Sequence, residues 1–532
     1  MWGCSNAAMS APPSSRVARL GRFRKRQPLL TWASAFLVAL LGLLPLVFLV
    51  DQASGLGWTR AVHVLWRPRV RMLLVNTIEL SSAVTVGSAI LGVAVAWCLE
   101  RTHLPGRRVW AVLVVLPVTI PEFVGASGWV SIFPSLEGFP AAVLVMTLAL
   151  YPLVYLPVAG ALRGLDPALE ETGRSLGLGT WGVFRRVILP QLRPAVLGGC
   201  LVVSLYLLAE YGSFALVRYA TFTTEIFTEY RLGLDPAAAA ALSLVLVALC
   251  AALVTGELFA RGKARYSRIG LGAPRAARKQ RLGKGAFPVV GGLAALVVLS
   301  LGVPLGALGY WLIRGSSTTL PSSSILSAAA HTLGYGIAAA LLTTTLALPV
   351  AHLAVRRRSW LSTSIERSTY VARALPGLVV GLAFIYFCIR FARPLYQTST
   401  VVILAYAVMF IPLALVAVQS ALAQSPPRLE EVGRSLGRSP FVVFFRVTLP
   451  LIGPGLAAAL ALVFLSSVHE LTATLLLRPT GVETLTTQFW VYTSSLAYGA
   501  AAPYAAVLVA ISAIPAYLLV RRIDALGSVG AE

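Results

Sequence analysis

Two polar segments of the chain carry the same residues in the same order. Leu169-Glu170-Glu171-Thr172-Gly173-Arg174-Ser175-Leu176-Gly177 is answered by Leu429-Glu430-Glu431-Val432-Gly433-Arg434-Ser435-Leu436-Gly437, and Pro190 and Pro450 follow each at the same distance. Pro167 and Pro427 break the preceding chain, so the glutamate pairs fall in a first helical turn, where negative charge suits the helix dipole. Gly177 and Gly437 predict a sharp turn into a second short helix. That second helix is expected to end before Leu189-Pro190 and Leu449-Pro450, with proline starting the next helix. Trp181-Gly182-Val183-Phe184 and Phe441-Val442-Val443-Phe444 place apolar rings on an otherwise aqueous face, which suits docking of another protein. An interfacial hairpin resting among lipid head groups is the alternative. It gives no reason for glutamate, glycine and proline to recur in register.

A second set of candidates is ionisable residues within long apolar stretches, where such groups are functional by default. Glu210 and the pair His469-Glu470 fall at equivalent places in the fifth and eleventh stretches, 260 residues apart. Glu122 follows Pro121 in a stretch made irregular by Pro117, Gly125 and Gly128, and broken helices are tolerated where they line a cavity. Glu79 is a fourth position. Two readings stand side by side. Glu122, Glu210, His469 and Glu470 line a translocation path for a cation, or Glu210 and Glu470 pair with Arg218 and Arg478 and only fix helices. No residue set has firm metal-ligand spacing, and weak, transient carboxylate contact is expected rather than a tight site. His63 and His331 read as interfacial residues.

These residues need a scaffold, and composition identifies it. The chain has 532 residues, 57% hydrophobic and 12% charged, with a mean hydropathy of +0.80. A helix crosses the hydrocarbon core in about 20 apolar residues. Twelve such segments are predicted: 29–50, 73–99, 109–132, 140–163, 195–217 and 237–260, then 286–313, 331–355, 368–391, 400–422, 455–477 and 501–520. The expected fold is an all-α polytopic membrane protein of two pseudo-symmetric six-helix bundles. The first half is 29–260 with a polar loop at 164–194, and the second is 286–522 with a polar loop at 424–454. A basic tail (1–28), a basic linker (261–285) and a short tail (523–532) complete the chain.

The net charge of +24 sits in alternate loops, at Arg16 to Arg26, Arg101 to Arg108, Arg261 to Lys284, Arg356 to Arg358 and Arg521-Arg522. That is the positive-inside pattern, answered by anionic membrane lipid, and no folded basic domain presents a nucleic-acid surface. Both termini and both polar loops are thereby expected in the cytoplasm. Arg60, Arg67, Arg69 and Arg71 oppose the pattern and read as an amphipathic helix on the outer interface, its arginines snorkelling to water. The cysteines carry no disulfide or metal pattern, and 29–50 reads as an uncleaved first span.

The duplication extends beyond the polar loops. Asn76-Thr77 answers His331-Thr332, Pro121 answers Pro376, and Thr221-Phe222-Thr223-Thr224-Glu225 answers Thr484-Leu485-Thr486-Thr487-Gln488. Parallel repeats of this size imply two bundles about an axis along the membrane normal.

The spacing Glu171, Gly177, Pro190, repeated as Glu431, Gly437, Pro450, resembles the EAA loop of ATP-binding-cassette importer permeases. The resemblance covers nearly the whole chain, and its fused twelve-span form is most similar to ferric iron permeases and the related thiamine permeases. It implies that Glu170, Glu171, Gly173, Gly177 and Pro190, with Glu430, Glu431, Gly433, Gly437 and Pro450, form two coupling helices. These would seat in two copies of a cytoplasmic ATPase, which holds ATP and Mg. It also implies an extracytoplasmic solute-binding protein that delivers cargo. The chain departs from the family at the two alanines, replaced by Thr172-Gly173 and Val432-Gly433. Glycine costs up to about 1 kcal/mol in a helix interior, so a softer coupling helix is expected.

The chain contains no Gly-x-x-x-x-Gly-Lys-Ser/Thr sequence to cradle ATP phosphates, which agrees with a transport subunit that is not itself an enzyme. A six-plus-six secondary transporter is the rival reading, yet it gives no reason for two Glu-Gly-Pro loops. A membrane enzyme is a weaker rival, since no catalytic constellation emerges.

Overall fold

The protein is described by a computed structural model over residues 29–231, 235–261, 281–315, 322–357, 359–372 and 375–528. The basic tail at 1–28, most of the basic linker at 261–285 and the last residues of the second tail lie outside the described residues. Among the described residues every regular element is a helix.

The first half begins with α1 (Leu29–Ser54), α2 (Trp58–Leu65) and α3 (Pro68–Arg101), followed by α4 (Arg107–Leu113) and α5 (Glu122–Ile132). Next come α6 (Gly138–Gly164) and a hairpin of α7 (Pro167–Ser175) and α8 (Thr180–Val183). The half closes with α9 (Leu189–Ala209), α10 (Gly212–Leu216), α11 (Phe222–Arg231) and α12 (Pro236–Arg261).

The second half opens with α13 (Ala286–Val297) and α14 (Val303–Arg314). It then repeats the plan in α15 (Ser322–Arg356), α16 (Trp360–Val371), α17 (Gly377–Phe391) and α18 (Ser399–Gln424). The hairpin of α19 (Pro427–Ser435) and α20 (Pro440–Val443) leads into α21 (Leu449–His469) and α22 (Thr472–Leu477). α23 (Leu485–Ser494) and α24 (Tyr498–Ser528) end it.

Ten helices among the described residues are long and apolar enough to cross a membrane, and α4 with its following turn forms an eleventh with α5. α17 is a shorter apolar helix beside them. Three boundaries differ from expectation for identifiable reasons. The expected segment 109–132 bends by 92° between Thr119 and Glu122, because Pro121 holds an extended backbone and caps α5. Pro376 does the same at the start of α17, dividing the expected 368–391.

The expected segments 195–217 and 455–477 each break at a glutamate. Glu210 and Glu470 take extended conformations. Each carboxylate then accepts from a backbone N–H of the short helix that follows, Ser213 at 2.6 Å and Ala473 at 3.0 Å.

The third difference lies at the hairpins, whose second arm does not end before proline. A π-helical segment, Phe184–Ile188, joins α8 to α9, and Phe444–Thr448 joins α20 to α21. The N–H of Leu189 reaches the Phe184 carbonyl and that of Leu449 reaches the Phe444 carbonyl. The wider turn leaves room for the rings of Pro190 and Pro450, which lack an N–H and would crowd an α-helical ladder.

The stretch with Arg60 to Arg71 also departs from expectation. It breaks at Arg67-Pro68, and three of its four arginines are paired. Arg60 lies 3.0 Å from Asp235, Arg67 3.3 Å from Glu229 and Arg69 3.0 Å from Glu225. Acidic residues on α11 and before α12 supply the counter-charge that the sequence reading assigned to water.

Lipid gives helices no hydrophobic reason to associate, so close packing decides their contacts. α3 packs on α6 and α9, and α15 on α18 and α21. A Cβ at Gly92 or Gly199 would lie 2.8 Å from Val154, so glycine allows α3 and α9 to approach α6. The halves also exchange helices. α1 packs on α15, α16 and α17, while α14 packs on α5. Leu293 and Leu296 of α13 enter the core of the first half.

Candidate functional site: two coupling hairpins and a shared carboxylate cavity

Both hairpins close by one mechanism. Gly177 and Gly437 have φ of +83° and +75°, in the left-handed region where glycine is favoured. The Gly177 N–H donates to the Arg174 carbonyl and Leu178 N–H to the Gly173 carbonyl; Gly437 and Arg438 repeat the pattern onto Arg434 and Gly433. This is a Schellman ending, which satisfies carbonyls that the helix end would leave bare. Pro167 and Pro427 stand at the helix starts, and Asp166 caps the first by accepting from the Ala168 N–H at 3.0 Å.

The glutamate doublets divide. Glu170 and Glu430 are buried, while Glu171 and Glu431 are exposed. Glu170 lies 2.8 Å from Arg101 and Glu430 3.0 Å from Arg356, with Arg174 and Arg434 completing each pair. Beside the exposed glutamates, Leu176, Trp181, Leu436 and Phe441 are each at least 70% exposed.

Gly173 and Gly433 account for the missing alanines. A Cβ at Gly173 would meet Val187 and Val183 at 3.3 and 3.4 Å, and one at Gly433 would meet Val443 at 3.0 Å. The glycines seat α7 and α19 on the second arm of their own hairpins. The expected softness is therefore offset by contact.

At the far ends of the helices leaving these hairpins, the two halves enclose a cavity of about 550 Å³. Glu122, Glu210, His469 and Glu470 all line it, together with Tyr206 and Met409. Glu122 comes from the proline break before α5, and Tyr206 of α9 joins it in the lining. Glu210 and Glu470 sit at the helix breaks. His469 bonds Ser512 at 2.7 Å.

The pairing alternative is not what the structure contains. Arg218 lies 3.2 Å from Glu137, and Arg478 donates to the Val482 carbonyl at 3.2 Å. Glu210 and Glu470 instead cap α10 and α22, and Glu470 also accepts from the Thr472 hydroxyl at 2.7 Å. Glu79 is exposed on α3, away from the cavity lining. The His331 ring donates from Nδ1 to the Glu483 carbonyl, 3.0 Å away, and His63 lies on α2.

The halves are not equivalent at the cavity. Where the first contributes Glu122 after its proline, the second has Gly377, and a Cβ there would stand 2.5 Å from Glu470 Oε1. Sequence reading missed Tyr206, one helical turn before Glu210. It also missed Arg101 and Arg356 as ion-pair partners, because both were absorbed into the positive-inside pattern. The available signal was an arginine closing the second long helix of each half.

Chemically, the arrangement offers oxygen ligands without a closed cage. Among the described residues no group of three His, Cys, Asp or Glu side chains is arranged to hold a metal ion.

Known proteins agree with this architecture. The chain is 42% identical to the Fe(3+)-transport system permease protein FbpB 2 of Haemophilus influenzae, over 91% of this chain and 97% of that protein. It is 26% identical to a putative ferric transport system permease protein, FbpB 1, of the same organism, over 79% of this chain and 72% of that one. The sulfate transport system permease protein CysT of Salmonella typhimurium is 30% identical over 40% of this chain and 85% of its own length. The family described as binding-protein-dependent transport system inner membrane component matches twice, at residues 88–261 and 343–526. Each match contains one hairpin and one break glutamate, and the chain belongs to that family as a fused, multi-pass transport subunit of the cytoplasmic membrane.

Proposed function

We propose that the chain forms the translocation path of an ATP-driven importer for ferric iron. Residues Glu122, Glu210, His469 and Glu470 would line the path, and the hairpins would couple it to two copies of a cytoplasmic ATPase that holds ATP and Mg. The observation that carries this reading is the cavity built by both halves, with three carboxylates, at the far ends of helices that begin in paired docking hairpins. Carboxylate oxygens suit a hard cation, and the open arrangement suits passage rather than storage. Among the described residues no lysine or arginine lines the cavity to receive an anion such as sulfate. The name of the 42% identical relative supports ferric iron over thiamine.

In this reading the hairpins and both termini face the cytoplasm, as the basic loops favour, and an extracytoplasmic solute-binding protein docks on the opposite face. ATP binding closes the ATPase dimer, draws the coupling helices together and rocks the two halves between discrete packings. Hydrolysis resets them. Exposed Glu171, Glu431, Trp181 and Phe441 contact the ATPase, while Glu170 and Glu430 face inward.

The test is uptake into proteoliposomes holding the chain with the ATPase and binding protein encoded beside it. ATP-dependent entry of ferric iron is expected, at least about tenfold above that of thiamine. Uptake driven by an ion gradient without any ATPase would overturn the reading.

A further inference from the structure

One buried arginine ties each coupling helix to the membrane body. Arg101, the last residue of α3, is 4% exposed. Its Nη2 lies 2.8 Å from Glu170 and 3.1 Å from the Leu162 carbonyl near the end of α6. Arg356, the last residue of α15, repeats this with Glu430 at 3.0 Å and the Ser425 carbonyl at 2.9 Å, just past α18. The principal packing of α7 and of α19 is otherwise on the second arm of its own hairpin. In each half one guanidinium nitrogen, Nη2, reaches both the carboxylate and the carbonyl, from a planar head whose shape and reach a lysine ammonium does not reproduce.

The opposite ends of the same two helices make a second matched set of contacts. Asn76 donates to the Ala220 carbonyl at 3.1 Å, and the Thr77 hydroxyl accepts from the Phe222 N–H at 3.1 Å. In the second half His331 lies 3.0 Å from the Glu483 carbonyl, and the Thr332 hydroxyl accepts from the Leu485 N–H at 2.9 Å. These contacts grip the starts of α11 and α23.

Both gripped segments bear on the cavity. The Thr223 hydroxyl of α11 donates to the Glu210 carbonyl at 2.6 Å, and Phe227 packs on Tyr211. From α23, Phe489 packs on Phe123 and Trp490 on Tyr211, across the junction of the halves. α3 and α15 are unbroken over 34 and 35 residues, and in each the two sets of contacts stand 25 residues apart. At 1.5 Å per residue each is a rod about 50 Å long.

We propose, resting on the coupling role inferred above, that Arg101 and Arg356 are positioning residues that fasten the coupling helices to α3 and α15, and that these helices carry ATP-driven movement to the cavity rim. A purely stabilising ion pair would contribute to folding and leave the transfer of movement intact. Coupling between distant sites is shown by an element whose state both sites bias, so movement is the quantity to measure.

The test uses a cysteine-free chain in complex with its ATPase, spin-labelled in two pairs. Ser175→Cys with Ser435→Cys reports on the coupling helices, and Ser135→Cys with Thr400→Cys reports on the opposite face; all four positions are exposed. Pulsed electron paramagnetic resonance measures each distance with and without a non-hydrolysable ATP analogue, with no cargo required. In the parent both distances shift. In Arg101→Lys with Arg356→Lys the inner shift is expected to persist while the outer falls below about a third of the parent's.

A second variant, Arg101→Gln, Glu170→Gln, Arg356→Gln and Glu430→Gln, removes both charges of each pair. It leaves no lone buried ion and reads the same way if the lysine form does not fold. An outer shift equal to the parent's in either folded variant, or inner and outer shifts that shrink together, overturns the proposal. A parent in which neither distance responds to nucleotide overturns the coupling role itself.

Discussion

Adjacent glutamates in each hairpin do different work, and substitution separates them. Glu170→Ala strands the buried Arg101 guanidinium, at a cost of about 3–5 kcal/mol, so a clear fall in the thermal unfolding midpoint of the detergent-solubilised protein is expected. Glu171→Gln lies on the exposed side and changes stability by less than about 0.5 kcal/mol. Its expected effect is weaker capture of the ATPase in a pull-down. Gly177→Val with Gly437→Val forces a branched side chain into left-handed backbone, costing about 1–2 kcal/mol or more at each site. ATPase capture should be lost. At the cavity, Gly377→Ala places a methyl 2.5 Å from Glu470 Oε1. Displacing that carboxylate should lower uptake at least about tenfold while ATPase capture stays at the parent level.

At the scale of elements, the π-helical joints decide which way each docking knob points. Phe184–Ile188 and Phe444–Thr448 insert an extra residue between the exposed ring and the membrane helix, in both halves. Pro190→Ala with Pro450→Ala removes the ring that the wide turn accommodates. Helix propensity then favours regular α-helix by up to about 3 kcal/mol per site. Regularising the joint rotates Trp181 and Phe441 by about 100° relative to α9 and α21. Unchanged or raised thermal stability together with impaired ATPase capture is the expected result, and unimpaired capture would show that the joint does not set the knob.

Across the whole molecule, the exchanged first helices hold the halves together. Phe48 of α1 packs edge-on against Phe387 and Phe391 of α17, at centroid distances of 5.3 and 5.5 Å. Asp51 lies 2.6 Å from Arg390 beside them, with both side chains about half exposed. Phe48→Ala should destabilise by about 3 kcal/mol, whereas Asp51→Asn should cost less than about 1 kcal/mol. Thermal unfolding of the two variants distinguishes packing from the exposed ion pair.

Hydropathy, turn residues and the repeated Glu-Gly-Pro spacing determined the helical membrane class, the two-half plan, the paired hairpins and the family resemblance, because each is encoded by neighbours in sequence. The left-handed glycines and the irregularity of the stretch around Pro121 were legible for the same reason, since φ restriction and a missing N–H are local properties; the 92° bend that divides 109–132 was not. Only the tertiary structure decided what depends on chain segments far apart. It brought Glu122, Glu210 and Glu470 to one cavity. It turned Glu170 and Glu430 inward to arginines that had read as lipid-facing charge, and it gave Arg218 to Glu137. The breaks at Glu210 and Glu470 were hidden because an acidic residue in an apolar stretch reads equally well as a polar group on an intact span, and which carbonyls and charges surround such a group is settled by packing alone.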